Sequence, residues 1–186
     1  MTYEMDIAGL KRELPLCKVT DELYIGAFVM FGDVELTVHC AAELLKRAPE
    51  YDYIIAPEAK SIPLLYEMAR QSGAEKYFLA RKGPKAYRSG VFEVAVKSIT
   101  TMSVQKLVID VADAELMKGK RILIVDDVIS TGESLHAMEE LVKAAGGVIV
   151  GKMAVLAEGD AIGRDDIIVL NSLPLFNADG SVRERK

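Results

Sequence analysis

Residues Arg121 to Ser134 read R-I-L-I-V-D-D-V-I-S-T-G-E-S, and the rest of the chain is organised around this stretch. Ile122 to Val125 is a short unbroken apolar run, the pattern of a strand buried on both faces of a parallel sheet. Asp126 and Asp127 stand where that strand is expected to end. Ser130, Thr131, Gly132 and Ser134 then form a turn of small residues whose backbone can approach an anion closely. Leu135, Met138, Leu141 and Val142 recur at helical spacing, and Gly146-Gly147 closes the helix. Strand, turn and helix N-terminus in this order build a phosphate cradle, because unpaired amides and the positive end of the helix dipole converge there. In open α/β sheets such a turn lies at the carboxyl edge, where ligands bind.

The paired acids separate this stretch from an ordinary phosphate loop. Strand residues alternate direction, so neighbouring aspartates cannot both point the same way. One can face a ligand while the other orients groups beside it or reaches a metal-bound water. Acids that read a diol, beside amides that read a phosphate, describe a site for ribose 5-phosphate. The pattern closely resembles the 5-phosphoribosyl-1-pyrophosphate signature of type I phosphoribosyltransferases. That resemblance implies an α/β fold with a central, mostly parallel sheet flanked by helices, a small hood and a flexible β-ribbon loop. It implies that Asp126 and Asp127 are the catalytic acids on the ribose hydroxyls, and that Ser130, Thr131, Gly132, Glu133 and Ser134 bind the 5-phosphate. The competing interpretation is a structural βα turn with a solvated acidic pair. Glu133 departs from the glycine often found there, and a carboxylate beside a phosphate dianion is unfavourable unless it turns to solvent.

Composition narrows the class. At 186 residues a single domain over residues 1–186 is expected, with about two-thirds of the unfolded surface buried. A net charge of −5 argues against a general nucleic-acid binder. Cys17 and Cys40 are too few for a disulfide framework and suggest reduced thiols. No apolar run approaches the ~18 residues of a membrane span, and Glu4 and Asp6 are foreign to a signal segment. The expectation is a soluble, cytoplasmic protein without a nucleic-acid or membrane partner.

Upstream of the signature, Val34 to Arg47 reads as a helix with Val38, Ala41, Leu44 and Leu45 on one face, stopped by Pro49. Tyr53 to Ala56 is a short strand followed by Pro57-Glu58-Ala59-Lys60-Ser61, about 65 residues before the acid pair. This loop resembles the pyrophosphate loop of the family, close to the Glu-Ala-Arg-Gly version of adenine phosphoribosyltransferases, so Glu58, Ala59, Lys60 and Ser61 are implied pyrophosphate binders. Lys60 keeps the cation but not the bidentate fork of arginine. Ile62 to Gln71 reads as a helix ended by Gly73, and Tyr77 to Ala80 as a strand. Arg81-Lys82-Gly83-Pro84-Lys85 then places three cations in a turn. The family carries a similar element, often donated across a dimer, so Arg81, Lys82 and Lys85 are implied pyrophosphate ligands and a homodimer is implied. Without the resemblance the same turn is merely basic and solvated.

Residues 1 to about 32 read as loops and short strands outside the main sheet, like the family's hood over the base. Phe31-Gly32-Asp33-Val34 resembles the Phe-Arg-Asp-Ile segment of adenine enzymes without its arginine, so a base contact there would come from backbone or Phe31. Val91 to Val96 and Lys106 to Asp110 read as a β-ribbon, similar to the hood loop that closes over substrate in this family. Its tip carries Thr100, Thr101 and Ser103, so no catalytic acid is assigned. Val148 to Leu156 and Ile167 to Leu170 read as the last strands, with Pro174-Leu175-Phe176 packing; His39 and His136 read as structural or surface residues.

The resemblance implies transfer of the phosphoribosyl group from phosphoribosyl pyrophosphate to a purine base with Mg²⁺, held by Asp126 and Asp127, directly or through water. A 6-oxopurine wants a donor such as lysine, whereas adenine wants an acceptor. Glu158, with Phe31 the implied base contact, lies where oxopurine enzymes commonly place a lysine, and the nearest lysine, Lys152, falls earlier in its strand. Adenine is therefore favoured over hypoxanthine or xanthine. Two other classes compete. A regulator that senses the ribosyl pyrophosphate would usually add a DNA-binding module, for which the first 30 residues are too irregular. A response-regulator receiver carries its acids early and not before S-T-G.

Overall fold

The computed structural model describes residues 1–83, 90–97 and 104–184. Lys85 and the ribbon tip with Thr100, Thr101 and Ser103 lie outside the described residues. In chain order the elements begin with β1 (Thr2–Ile7), β2 (Leu10–Lys18), β3 (Tyr24–Gly26), α1 (Val34–Leu45), β4 (Tyr53–Pro57), α2 (Ile62–Ser72) and β5 (Phe78–Ala80). There follow β6 (Val91–Lys97), β7 (Val104–Asp110), α3 (Val111–Met117), β8 (Arg121–Ile129), α4 (Glu133–Ala144), β9 (Val148–Glu158), β10 (Ile168–Leu173) and β11 (Leu175–Phe176).

The main sheet has five strands in the order β10-β9-β8-β4-β5. Every pairing in it is parallel, so the expectation of a mostly parallel sheet is sharpened. Side chains on β8 alternate between two cores. Leu123 and Val125 pack with Leu36, Leu44, Leu64 and Met68 of α1 and α2. Ile122 and Ile124 pack with Leu135, Met138 and Leu141 of α4 and Met117 of α3. Burial on both faces explains the unbroken apolar run, and each such side chain contributes about 1.5–3 kcal/mol before entropy is counted.

Three expectations are corrected and one helix is added. β8 does not end at the acids but continues to Ile129, because β9 keeps pairing with it as far as Ile129↔Ala157. The buried stripe of α1 is Leu36, Thr37, Cys40, Ala41 and Leu44, whereas Val38 is exposed. Helix α3 is seven residues long and buries only Ala114 and Met117, too short for a periodic signal in the sequence. The last sheet strand runs on to Leu173.

The first residues form strands outside the main sheet, as expected, in a second sheet ordered β1-β2-β3-β11. Ala8 and Gly9 both have positive φ, 55° and 81°, which closes the β1–β2 hairpin in the primed sense that matches strand twist. The fourth strand comes from the far end of the chain, and Phe176 is fully buried beside Tyr3 with ring centroids 4.9 Å apart. Arg12 of β2 reaches Asp33 through Nε at 2.7 Å and Nη2 at 3.2 Å, and Glu35 at 2.8 Å. Asp33 also caps α1 by accepting from the Leu36 amide at 3.0 Å. The hydrogen bond from Arg12 is the main cause that lowers the Asp33 pKa. Asp33→Ala should therefore lower stability by about 1 kcal/mol, mostly through the lost cap, in urea unfolding at neutral pH. Because the folded pKa is depressed, that difference should shrink towards the cap contribution as pH falls through the Asp33 pKa; a difference unchanged in acid would refute the ionic contribution.

Candidate active site

Strands β4 and β8 are paired only from Tyr53↔Ile122 to Ile55↔Ile124. Beyond Ile124, β8 stays on β9, while β4 stays on β5 through Pro57↔Ala80. The two central strands thus part at their carboxyl ends, where the chain order of the sheet reverses direction. Such a switch point opens a crevice for ligands. It is bordered by residues 58–61 after β4 and residues 130–132 after β8.

One side chain bridges the crevice at its floor. The Ser61 hydroxyl donates to Asp126 Oδ1 at 2.6 Å and accepts from the Asp127 amide at 3.1 Å. The Asp127 amide also donates to Asp126 Oδ1 at 2.9 Å. Ser61 and both acids are buried. Burial, reinforced by the neighbouring Asp127 charge, pushes the Asp126 carboxyl above the usual carboxylate range, while the Ser61 bond opposes that rise. The two acids diverge as strand alternation requires. Asp126 is bound to Ser61, whereas Asp127 Oδ2 is buried without a hydrogen-bond partner among the described residues, 4.0 Å from Lys60 Nζ. Glu158, at the end of β9, belongs to the same neighbourhood: burial raises its pKa and the Lys60 charge lowers it. Lys60 is thus a cation shared by two carboxylates on neighbouring strands.

The helices beside the crevice are left open at their N-termini. Ser61 is the N-cap of α2 but makes no capping bond, because its hydroxyl serves the acids. Gly132 is the N-cap of α4, with φ of 83° and no side chain to cap with. Thr131 Oγ1 offers the Glu133 amide only a long contact of 3.5 Å. By contrast, α1 has its N-terminus closed by Asp33. Neither end is capped by a side chain; at α2 the Ile62 amide donates to the Ala59 carbonyl at 3.2 Å and Pro63 has no N–H, so what α2 offers an anion is chiefly the positive end of its dipole.

Of the anticipated residues, Glu58, Ala59, Lys60, Ser61, Asp126, Asp127 and Ser130 to Ser134 fall on the two loops and strand ends bordering the crevice, with Glu158 beside them. The Glu58–Ala59 peptide bond is cis. Arg81 follows β5, and its backbone exchanges bonds of 2.9 and 2.8 Å with Val108, fixing the root of the β6–β7 ribbon. Lys82 is exposed beside it. Phe31 is 52% exposed on the turn before α1, outside the acid–serine cluster, while Phe28 is core. Two arginines escaped sequence reasoning. Arg12 lies on a different strand from the Phe31 turn it fastens, and nothing in the local pattern signals it. Arg164 brings Nη1 to 2.8 Å from where a Cβ on Gly132 would stand, again without a motif linking the two segments.

The chain matches the family model described as phosphoribosyl transferase domain over residues 37–182. An adenine phosphoribosyltransferase of Thermosipho africanus is 27% identical over 173 residues, which is 88% of this chain and 94% of that protein. An orotate phosphoribosyltransferase of Caldanaerobacter subterraneus is 31% identical over 59% of this chain and 46% of its own length. An adenine phosphoribosyltransferase of Thermotoga maritima is 31% identical over 59% of each chain, so these two alignments span about half to three-fifths of the relatives. Among solved structures, adenine phosphoribosyltransferase from Thermoanaerobacter pseudethanolicus superposes with a TM-score of 0.63 at 24% identity, over 75% of this chain and 82% of that one. The Giardia lamblia enzyme with 9-deazaadenine gives 0.63 at 15% identity, over 77% and 82%. These structures share the fold.

Proposed function

The chain belongs to the phosphoribosyltransferase family, and from that premise we propose that it transfers the 5-phosphoribosyl group of phosphoribosyl pyrophosphate to a purine base, adenine in preference. The products are the nucleoside monophosphate and pyrophosphate. The observation that carries this reading is the pair of uncapped helix ends flanking two buried acids at one switch point. A ribose with a phosphate at one end and a pyrophosphate at the other has that distribution of charge.

Positive charge spreads over C1 and the ring oxygen as pyrophosphate departs. Asp126 and Asp127 hold the ribose hydroxyls and stabilise that charge, with Ser61 fixing their geometry. The 130–134 loop holds the 5-phosphate. The 58–61 loop, through the amides of Ala59 to Ser61, with the ammonium of Lys60 and the cations Arg81, Lys82 and Lys85, receives the leaving group, while the Glu58 amide is held by the Ala80 carbonyl at 2.8 Å. The work is positioning and electrostatics, with no covalent intermediate required.

No cage of three or more acids, histidines or cysteines is gathered among the described residues. Asp127, with an unpartnered buried oxygen, nevertheless fits a cation that keeps most of its shell in water and substrate phosphates, as Mg²⁺ does. Bound there through Asp126 and Asp127, directly or through water, Mg²⁺ would neutralise charge on the departing pyrophosphate.

The base preference follows from donors and acceptors. Adenine offers an amine, and Glu158 at the β9 end is an acceptor. A 6-oxopurine needs a donor, and Lys152 does not supply it: its ammonium is paired with Glu139 at 2.8 Å and with Asp166. Incubation with phosphoribosyl pyrophosphate, Mg²⁺ and each of adenine, hypoxanthine, guanine, xanthine and orotate should yield AMP fastest, followed by chromatography. A higher kcat/KM for any other base would overturn the adenine assignment. Tight binding of the sugar pyrophosphate without turnover of any base would indicate a sensor.

A further inference from the structure

The loop that caps α4 has a neighbour from a distant part of the chain. Gly132 adopts φ of 83°, and a Cβ added there would meet Arg164 Nη1 at 2.8 Å. The guanidinium therefore lies directly against the glycine. Its orientation is fixed from behind. Nε and Nη2 donate to the Asp166 carboxylate at 2.8 and 2.7 Å in a planar fork. Asp166 is held in turn by Lys152 of β9, whose ammonium also meets Glu139 of α4 at 2.8 Å. This chain of ion pairs leaves Nη1, with its two N–H donors, as the edge presented to the loop.

A helix end alone does not establish a ligand. Here the strand that feeds the loop also carries Asp127, which is 6% exposed and has Oδ2 without a hydrogen-bond partner among the described residues. The buried acid lies 4.0 Å from Lys60 Nζ at the strand end, and the guanidinium-backed glycine stands on the loop that follows it. Asp166 screens the net charge of Arg164, so its contribution is made by oriented N–H groups at short range.

We propose that Arg164 is a substrate-binding residue, whose Nη1 edge donates to the phosphate monoester held by the Gly132 loop, and that Asp166 is its positioning residue. This rests on the assignment of that loop to the 5-phosphate. Calorimetry with ribose 5-phosphate, unphosphorylated ribose and adenine, on the wild-type protein and on Arg164→Met, Arg164→Lys and Asp166→Asn, tests it. Met keeps the packing of the apolar stem. Ribose 5-phosphate should bind Arg164→Met about 10- to 100-fold more weakly, with adenine unchanged and partial recovery in Arg164→Lys. Asp166→Asn should show a smaller loss in the same direction. Equal affinity of wild type and Arg164→Met for ribose 5-phosphate, or an equal loss for adenine, would overturn the proposal. Failure of the wild-type protein itself to distinguish ribose 5-phosphate from ribose would instead overturn the phosphate assignment. A second measurement needs no variant. Ribose 5-phosphate, but not ribose, should protect Arg164 from an arginine-selective dicarbonyl, read by peptide mass spectrometry; unprotected modification counts against the proposal.

Discussion

The double substitution Asp126→Asn with Asp127→Asn is expected to leave a folded protein whose kcat/KM falls by about 10³-fold or more. Folding survives because the amide oxygen of an asparagine at 126 can still accept from the Ser61 hydroxyl and the Asp127 amide, which now meet Asp126 Oδ1 at 2.6 and 2.9 Å. Removing two buried like charges also relieves repulsion, so thermal stability should hold or rise. Transfer fails because the developing sugar cation loses its nearest negative groups at the point where the site is most shielded from water. Steady-state rates with adenine, together with a thermal melt, provide the check. Turnover within tenfold of wild type would remove the acids from the ribose.

The second large effect is expected at Lys60. In Lys60→Ala the cation 4.0 Å from Asp127 Oδ2 is lost, and Glu158 loses the charge that opposes its burial. A pyrophosphate leaving group would then face two carboxylates without the Lys60 ammonium to offset them. The KM for phosphoribosyl pyrophosphate should rise about 10- to 100-fold. Adenine should be affected far less when measured at alkaline pH, where Glu158 remains ionised. Equal losses for the two substrates would show that Lys60 holds the site together and does not read pyrophosphate.

Both sites were visible as separate runs of residues, and the reason differs from what was hidden. Ile122 to Val125 announced a buried strand because each residue must be apolar when both faces are covered. The small-residue turn at Ser130 to Ser134 and the P-E-A-K-S loop were legible because phosphate approach demands particular residues in sequence. Their union was not legible: the bond from Ser61 to Asp126 spans 65 positions and depends on two strands parting after Ile124. The same limit hid Arg12 and Arg164, whose roles come entirely from contacts between distant segments. The exposure of Val38 has a related cause. Periodicity gives a helix an apolar side, but the docking of α1 on the sheet decides which residues occupy it.

The pairing of β11 with β3 bears on how the protein is made. Emerging from a ribosome, the first 26 residues can form their hairpin early, yet the partner for β3 arrives about 150 positions later. Closing so long a loop carries an entropic penalty and slows the pairing. Until Leu175 and Phe176 clear the exit tunnel, the outer edge of β3 is an unpaired template for any other extended chain. Between the synthesis of β3 and that of β11 the nascent protein thus carries an adhesive border, a natural point for a chaperone to engage.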